Sequence, residues 1–126
     1  MKRLTKQQII NLQKLLIDRY SGTHGICDEG LLASALNAPF QTFSGNELYP
    51  DITEKVARLG FGLIQGHAFI DGNKRIGTHA MLIFLQLNKV SIKYSDNELI
   101  KMILDIASGS ADCKHLSDWL MEHQEK

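Results

Sequence analysis

Residues 67 to 75 decide the fold, because they separate two stretches whose apolar residues recur at helical spacing. The run reads His67-Ala68-Phe69-Ile70-Asp71-Gly72-Asn73-Lys74-Arg75, and we call it the motif. Before it, a stripe repeats at steps of four, three and four, at Ile52, Val56, Leu59 and Leu63. After it, a long and mostly apolar stretch runs from Ile76 to Val90. The sequence therefore predicts a helix, a short loop and a second, buried helix.

The remainder of the chain also favours helices. Start signals occur at Thr5 with Gln8, at Asp28, at Asp51 with Glu54, and at Ser95 with Glu98. The stretch from Pro39 to Pro50 is the least helical, and residues 42 to 49 favour a small hairpin or flap. The predicted fold is all-α, with about six helices around one buried central helix (about Asn73 to Asn88) and a short β-hairpin-like flap.

Three glycines interrupt the helix before the motif. Gly60, Gly62 and Gly66 are poor helix formers, and each costs about 1 kcal/mol relative to alanine. Close approach to another helix would compensate for that cost. We therefore expect tight helix packing beside the motif.

Length and composition restrict the class of protein. The 126 residues fit one domain, residues 1–126, and 44% of them are apolar. The 14 basic and 14 acidic side chains give a formal net charge of zero, which argues against direct nucleic-acid binding through a whole face. No uncharged apolar run is long enough to cross a bilayer. Two distant cysteines, Cys27 and Cys113, are typical of a reduced protein, and we predict a cytoplasmic one.

The centre of the motif has the composition of an anion-binding turn. Glycine adopts left-handed dihedrals at low cost and asparagine tolerates them, so successive main-chain amides at Gly72, Asn73 and Lys74 can point inward as a nest. A helix that starts there adds its free N–H groups and its dipole. Lys74 and Arg75 add full charges, and arginine can grip phosphate with two N–H groups. The alternative is an ordinary capped helix start with two solvated cations.

His67 and Asp71 add reactive groups to the anion-binding turn. Imidazole is the side chain best suited to accept a proton near neutral pH, so His67 is the candidate general base. Asp71 is a candidate ligand for Mg²⁺, which usually binds one or two carboxylates plus substrate phosphates. The alternatives are a core histidine bonded to a carbonyl and an N-cap aspartate. A zinc site from His67, Asp71 and His79 matches no familiar ligand spacing.

The motif resembles the signature of the Fic family. That signature reads His-x-Phe-x-(Asp, Glu or Ala)-Gly-Asn, then glycine or lysine, then arginine. Lysine at position 74 resembles the death-on-curing branch, the Doc toxins. An upstream run is similar to a second segment of that branch: Arg19-Tyr20-Ser21-Gly22, then Gly25, then Asp28-x-Gly30-Leu31-Leu32. The resemblance covers nearly the whole chain.

The resemblance implies a role for each matching residue. His67 would be the base that acts on a target hydroxyl, and Asp71 would bind Mg²⁺ under the phosphates of ATP. Gly72, Asn73 and Lys74 would form the nest, and Arg75 would grip phosphate. Arg19 would reach the nucleotide, although it can equally complete the C-terminus of its own helix. The flap would hold an extended target segment by strand-like pairing.

The resemblance also implies a reaction. Most Fic enzymes transfer AMP from ATP to a hydroxyl, whereas the Doc branch is implied to be a kinase with a reversed nucleotide. The side chain of Lys74 fills space that glycine leaves empty, which favours one nucleotide pose over the other. The implied target is elongation factor Tu, and the implied regulator is an antitoxin bound in trans. The (Ser or Thr)-x-x-x-Glu-(Gly or Asn) helix of self-inhibiting members is not found in this chain.

Three other functions remain as alternatives. The chain can be an AMP transferase of the general Fic type, and ATP with labelled α or γ phosphate distinguishes this reaction from the kinase reaction. It can also be a catalytically silent helical binding module. A DNA-binding regulator would need a basic recognition helix, for which the predicted central helix is too apolar.

Overall fold

Six helices and one small hairpin make up the fold of residues 1–125. The computed structural model describes residues 1–125, so Lys126, the last residue of the predicted domain, lies outside the described residues. The helices are α1 (Lys6–Tyr20), α2 (Glu29–Asn37), α3 (Ile52–Gly66), α4 (Asn73–Leu87), α5 (Asp96–Ser108) and α6 (Cys113–Glu122). A 3₁₀ turn (Ala38–Phe40) leads into β1 (Thr42–Phe43) and β2 (Asn46–Glu47). The predicted all-α fold with a hairpin is confirmed.

Most of the predicted start signals form. Thr5 with Gln8 and Ser95 with Glu98 make reciprocal capping boxes at α1 and α5, and the Asp28 side chain accepts the amide of Leu31 at α2. Helix α3 starts at the predicted place, but the side chain of its N-cap residue Asp51 makes no capping hydrogen bond. The helix starts predicted from the sequence are therefore confirmed. At α3 the start is confirmed, but the predicted side-chain cap does not form.

The helix with the most neighbouring elements is α3. It packs against α2, α4, α5, α6 and the 3₁₀ turn, whereas α4 packs against α1, α3 and α5. The prediction that the helix after the motif occupies the centre is therefore wrong in this detail, although α4 is also largely buried. The sequence favoured α4 because its apolar side chains occur nearly all round the helix, yet Leu82 and Ile83 are only half-buried.

Close packing of α3 on its neighbours depends on glycine. A Cβ atom placed on Gly77 would lie 2.5 Å from Cγ1 of Ile64 and 3.2 Å from the carbonyl oxygen of Gly60. A Cβ atom placed on Gly60 would lie 2.2 Å from Sδ of Met81. The expected close approach is thus confirmed between α3 and α4. Gly66, by contrast, has no neighbouring atom within 4 Å of such a Cβ.

We expect Gly77→Ala to destabilise the fold. Overpacking of a close-packed core costs about 1–3 kcal/mol, which exceeds the ~1 kcal/mol that alanine gains over glycine in a helix. Urea unfolding followed by circular dichroism should show a free energy of unfolding lower by about 1–2 kcal/mol. Gly66→Ala is the matched control and should be neutral or stabilising. Equal stability of the two variants would contradict the tight α3–α4 contact.

The predicted flap forms as an antiparallel hairpin. Thr42 pairs with Glu47 and Phe43 pairs with Asn46. Ser44 and Gly45 between them have φ angles of 52° and 80°, as a two-residue hairpin turn of type I′ requires. The turn residues Ser44 and Gly45 thus account for the hairpin.

A buried lysine anchors the base of the flap. Lys55 in α3 is 2% exposed, and its ammonium donates 2.9 Å to Oε1 of Glu47 and also to the carbonyl oxygen of Tyr49. A buried ammonium is stable only when it is paired and hydrogen-bonded, as it is here. The flap is therefore attached directly to the helix that leads into the motif.

Within residues 1–125, no helix combines the length and apolar character that a membrane span requires. Cys27 and Cys113 are both free, and burial raises the pKa of the Cys113 thiol.

Candidate active site

The motif forms the loop between α3 and the start of α4. His67 ends α3 in the left-handed conformation, with φ 50° and ψ 46°. Gly72 is also left-handed, with φ 82° and ψ 15°, and it is the N-cap residue of α4. Glycine takes this conformation without the steric cost of a Cβ atom, which explains its place directly before the helix.

The side chain of Asn73 closes the loop on itself. Its Oδ1 accepts the amide of Phe69 at 3.1 Å, and its Nδ2 donates to the carbonyl oxygen of Phe69 at 2.9 Å. Both polar groups of this side chain are thus engaged within the motif. Asn73 was predicted to cradle an anion, and only its main-chain amide is placed to do so.

The start of α4 offers several free main-chain donors. Within residues 1–125, the amides of Gly72, Asn73, Lys74 and Arg75 donate to no acceptor, because the first helical bond is from Ile76 to the Gly72 carbonyl. No acidic side chain occupies the first turn of α4. Unpaired amides and the positive end of the helix dipole therefore coincide with the two cationic side chains, and this combination suits a phosphate.

The carboxylate of Asp71 is held by the loop that joins α1 to α2. Its Oδ2 accepts the amide of Thr23 at 2.8 Å, whereas Oδ1 has no hydrogen-bond partner within residues 1–125. One free carboxylate oxygen fits the way Mg²⁺ binds through a single acid plus phosphates and water. The same described residues contain no group of three His, Cys, Asp or Glu side chains placed to hold a metal ion. The zinc alternative from His67, Asp71 and His79 therefore has no geometric support.

His67 lies at the surface. The residue is exposed, and its ring makes no hydrogen bond to any other residue between 1 and 125. The alternative of a core histidine bonded to a carbonyl is thus excluded. An exposed imidazole next to an anion-binding turn is available to a hydroxyl that approaches from solution.

Tyr20 brings the two predicted arginines together. The guanidinium carbon of Arg75 lies 4.5 Å from the centroid of the Tyr20 ring, and that of Arg19 lies 5.6 Å from it. The C-terminal turn of α1 therefore meets the first turn of α4, and Arg19 joins the cluster of positive charge. Lys74 is exposed beside them. No separate role was predicted for Tyr20, since an aromatic residue at a helix end carries no distinctive signal.

The segment between α1 and α2 is hydrogen-bonded to the motif. The amides of Cys27 and Asp28 donate to the carbonyl of Ala68, at 2.7 and 3.1 Å, and the amide of Ile70 donates to the carbonyl of Gly25 at 3.1 Å. The two segments that carried the resemblance in sequence are thus one structural unit.

A cavity of about 520 Å³ opens at the start of α4. This volume is in the range of small-molecule sites. One wall is polar, from Gly72, Asn73, Lys74, Arg75, Thr78 and His79, and the other is apolar, from Leu99, Ile100, Ile103 and Leu104 of α5. His67 and Asp71 do not line it. Ile100 and Leu104 are 55% and 51% exposed, which is unusual for large apolar side chains. The apolar spacing of α5 did not indicate that these two residues would line a cavity.

Known proteins are similar to this chain in sequence. A sequence model described as the Fic/DOC family matches residues 3–85, which contain both segments of the site. The chain is 29% identical over 120 residues to "Protein kinase doc" of Escherichia phage P1, across 95% of this chain and 94% of that protein. It is 37% identical over 73 residues to "Toxin Doc" of Mycolicibacterium smegmatis, across 58% of this chain and 56% of that protein. The chain therefore belongs to the Fic/DOC family, as its motif predicted.

Proposed function

We propose that this chain is a toxin of the Doc type that transfers the γ-phosphate of ATP to a serine or threonine hydroxyl of a protein. The observation that carries the proposal is the exposed imidazole of His67 beside unpaired amides, Lys74 and Arg75 at the start of α4. The names of the two relatives, a protein kinase and a toxin, support the same reaction and the same role.

Each residue of the site has a task in this reaction. His67 accepts the proton of the target hydroxyl while the hydroxyl oxygen forms a bond to the γ-phosphorus of ATP. The bond between the γ-phosphorus and the oxygen that bridges it to the β-phosphate breaks, and ADP is released. The amides of α4 and the side chains of Lys74 and Arg75 stabilise the negative charge on the phosphate oxygens. Arg19 adds charge from the end of α1.

Asp71 is the residue that would hold Mg²⁺. Its free Oδ1 would be the protein ligand, and the ion would neutralise charge on the phosphates of ATP. The cavity has an apolar wall from α5 and a polar wall from the start of α4. The apolar wall suits the nucleoside of ATP, and the polar wall suits its phosphates. ATP and Mg²⁺ are the proposed cofactors.

The proposed target is elongation factor Tu in the cytoplasm, where its phosphorylation would block translation. The flap would receive an extended target segment along its free edge, because β-strand addition needs an unpaired edge and an ordered partner. The proposed regulator is an antitoxin encoded separately and bound in trans.

The experiment that tests the proposal uses ATP labelled at either the γ or the α phosphate. Purified protein, MgCl₂ and elongation factor Tu are incubated with each label, and the intact mass of the target is measured. We expect label from the γ position alone and a mass gain of one phosphate. Label from the α position with the mass of one adenylate would replace the kinase by an AMP transferase. Transfer from neither position would favour a binding module without turnover.

A further inference from the structure

A buried glutamine lies directly behind the candidate site. Gln13 in α1 is 1% exposed, although it is polar and uncharged. Its Nε2 donates to the carbonyl oxygens of Thr23 and Asp71, at 3.2 and 3.4 Å, and its Oε1 accepts the amide of Gly25 at 3.4 Å. A buried amide needs partners for its donors and its acceptor, and all three partners here are main-chain groups. Apolar periodicity alone would have favoured a leucine at this position.

These contacts reach Asp71 by two routes. One is direct, through the carbonyl of Asp71. The other runs through the loop after α1: Gln13 fixes the carbonyl of Thr23, and the amide of Thr23 donates 2.8 Å to Oδ2 of Asp71. The amide of Gly25 is fixed as well, and its carbonyl accepts the amide of Ile70, next to Asp71. One side chain thus holds both the main chain of Asp71 and the loop that orients its carboxylate.

We infer that Gln13 is a positioning residue that sets the direction of the free Oδ1 of Asp71 toward Mg²⁺. This inference rests on the proposed function. Mg²⁺ requires nearly ideal octahedral geometry, so a small rotation of a single protein ligand weakens binding. Partners that orient metal ligands typically contribute about 10–100-fold in metal affinity. Gln13 itself is buried and would touch neither metal nor nucleotide.

The test measures metal binding rather than transfer. Mn²⁺ replaces Mg²⁺ as a paramagnetic probe, and its dissociation constant is measured by electron paramagnetic resonance with a non-hydrolysable ATP analogue present. We expect Gln13→Met, which keeps the length but loses all three hydrogen bonds, to raise that constant about 10-fold. Affinity for the analogue without metal should stay unchanged. Gln7→Met is the control, because Gln7 is on the exposed side of the same helix and bonds only to Asn11.

Gln13→Leu is the second variant and guards against misfolding, because leucine suits this buried position of α1 and adds no charge beside Asp71. It loses the donor to Thr23 and Asp71 and the acceptor for the Gly25 amide, so it should also weaken Mn²⁺ binding. The inference is overturned if a folded Gln13 variant binds Mn²⁺ like the parent. Loss of folding in both variants would also overturn it, since Gln13 would then be a structural residue only.

Asp71→Asn in the same assay separates the two proposals. If it weakens Mn²⁺ binding while the Gln13 variants do not, only the positioning role is wrong. If it leaves Mn²⁺ binding unchanged, Asp71 is no metal ligand, and the metal part of the proposed function fails together with the inference.

Discussion

His67→Ala should lower the rate of phosphate transfer by about 10²–10⁴-fold, the usual contribution of a general base. The imidazole is exposed and has no hydrogen-bond partner within residues 1–125, so its removal leaves no buried group unpaired. It also does not line the cavity at the start of α4. Affinity for ATP should therefore stay close to that of the parent, and the loss should appear in kcat rather than in KM for ATP.

The measurement compares single-turnover transfer with nucleotide binding. His67→Asn belongs beside the alanine variant, because asparagine tolerates the left-handed backbone at this position but cannot act as a base. His115→Gln is the matched histidine control, since glutamine can keep the capping box that His115 forms with Asp112 at the start of α6. If His67→Ala transfers phosphate at the parent rate, or is as toxic in cells as the parent, His67 is not part of the mechanism.

Lys74→Gly should lower phosphate transfer by about 10–100-fold, because a hydrogen bond to a charged group contributes about 1.5–3 kcal/mol. Lys74 is exposed in the first turn of α4 and lines the cavity, where no acidic side chain neutralises it. The main-chain amides remain in the variant, so a phosphate can still bind. The space that the lysine side chain occupied becomes open, and we expect AMP transfer to appear.

The group transferred to the target shows whether the volume or the charge of the Lys74 side chain matters. Lys74→Met keeps most of the volume and removes the charge, so it should lose rate without gaining AMP transfer. The intact mass of the target after reaction gives the modification and its yield for each variant. If Lys74→Gly transfers only phosphate at the parent rate, this side chain does not select the transferred group.

The sequence was sufficient for features that depend on neighbouring residues. The capping boxes at Thr5 and Ser95 need residues only three positions apart, and the flap follows from local turn residues near Gly45. The motif is continuous in sequence, so its anion-binding turn was predicted from local rules. In the structure Gly72 has the expected left-handed dihedrals, and the amides of the turn are unpaired.

Features that depend on distant residues were not predictable in this way. Gln13 meets Asp71 across 58 positions, and nothing in the spacing of α1 indicates that contact. Tyr20 joins Arg19 to Arg75 only because α1 ends beside the start of α4. The central place of α3 follows from its packing against α2, α4, α5, α6 and the 3₁₀ turn, whereas periodicity describes only the faces of a single helix.

The left-handed backbone of His67 has an evolutionary consequence. A residue other than glycine in this region costs about 1–3 kcal/mol, so the protein keeps an unfavourable conformation at the position where the proposed reaction needs an imidazole. Glycine at this position would relieve that cost. A copy of the gene released from selection for activity therefore has no thermodynamic reason to retain histidine, and mutational drift should replace it earlier than the packed residues around it.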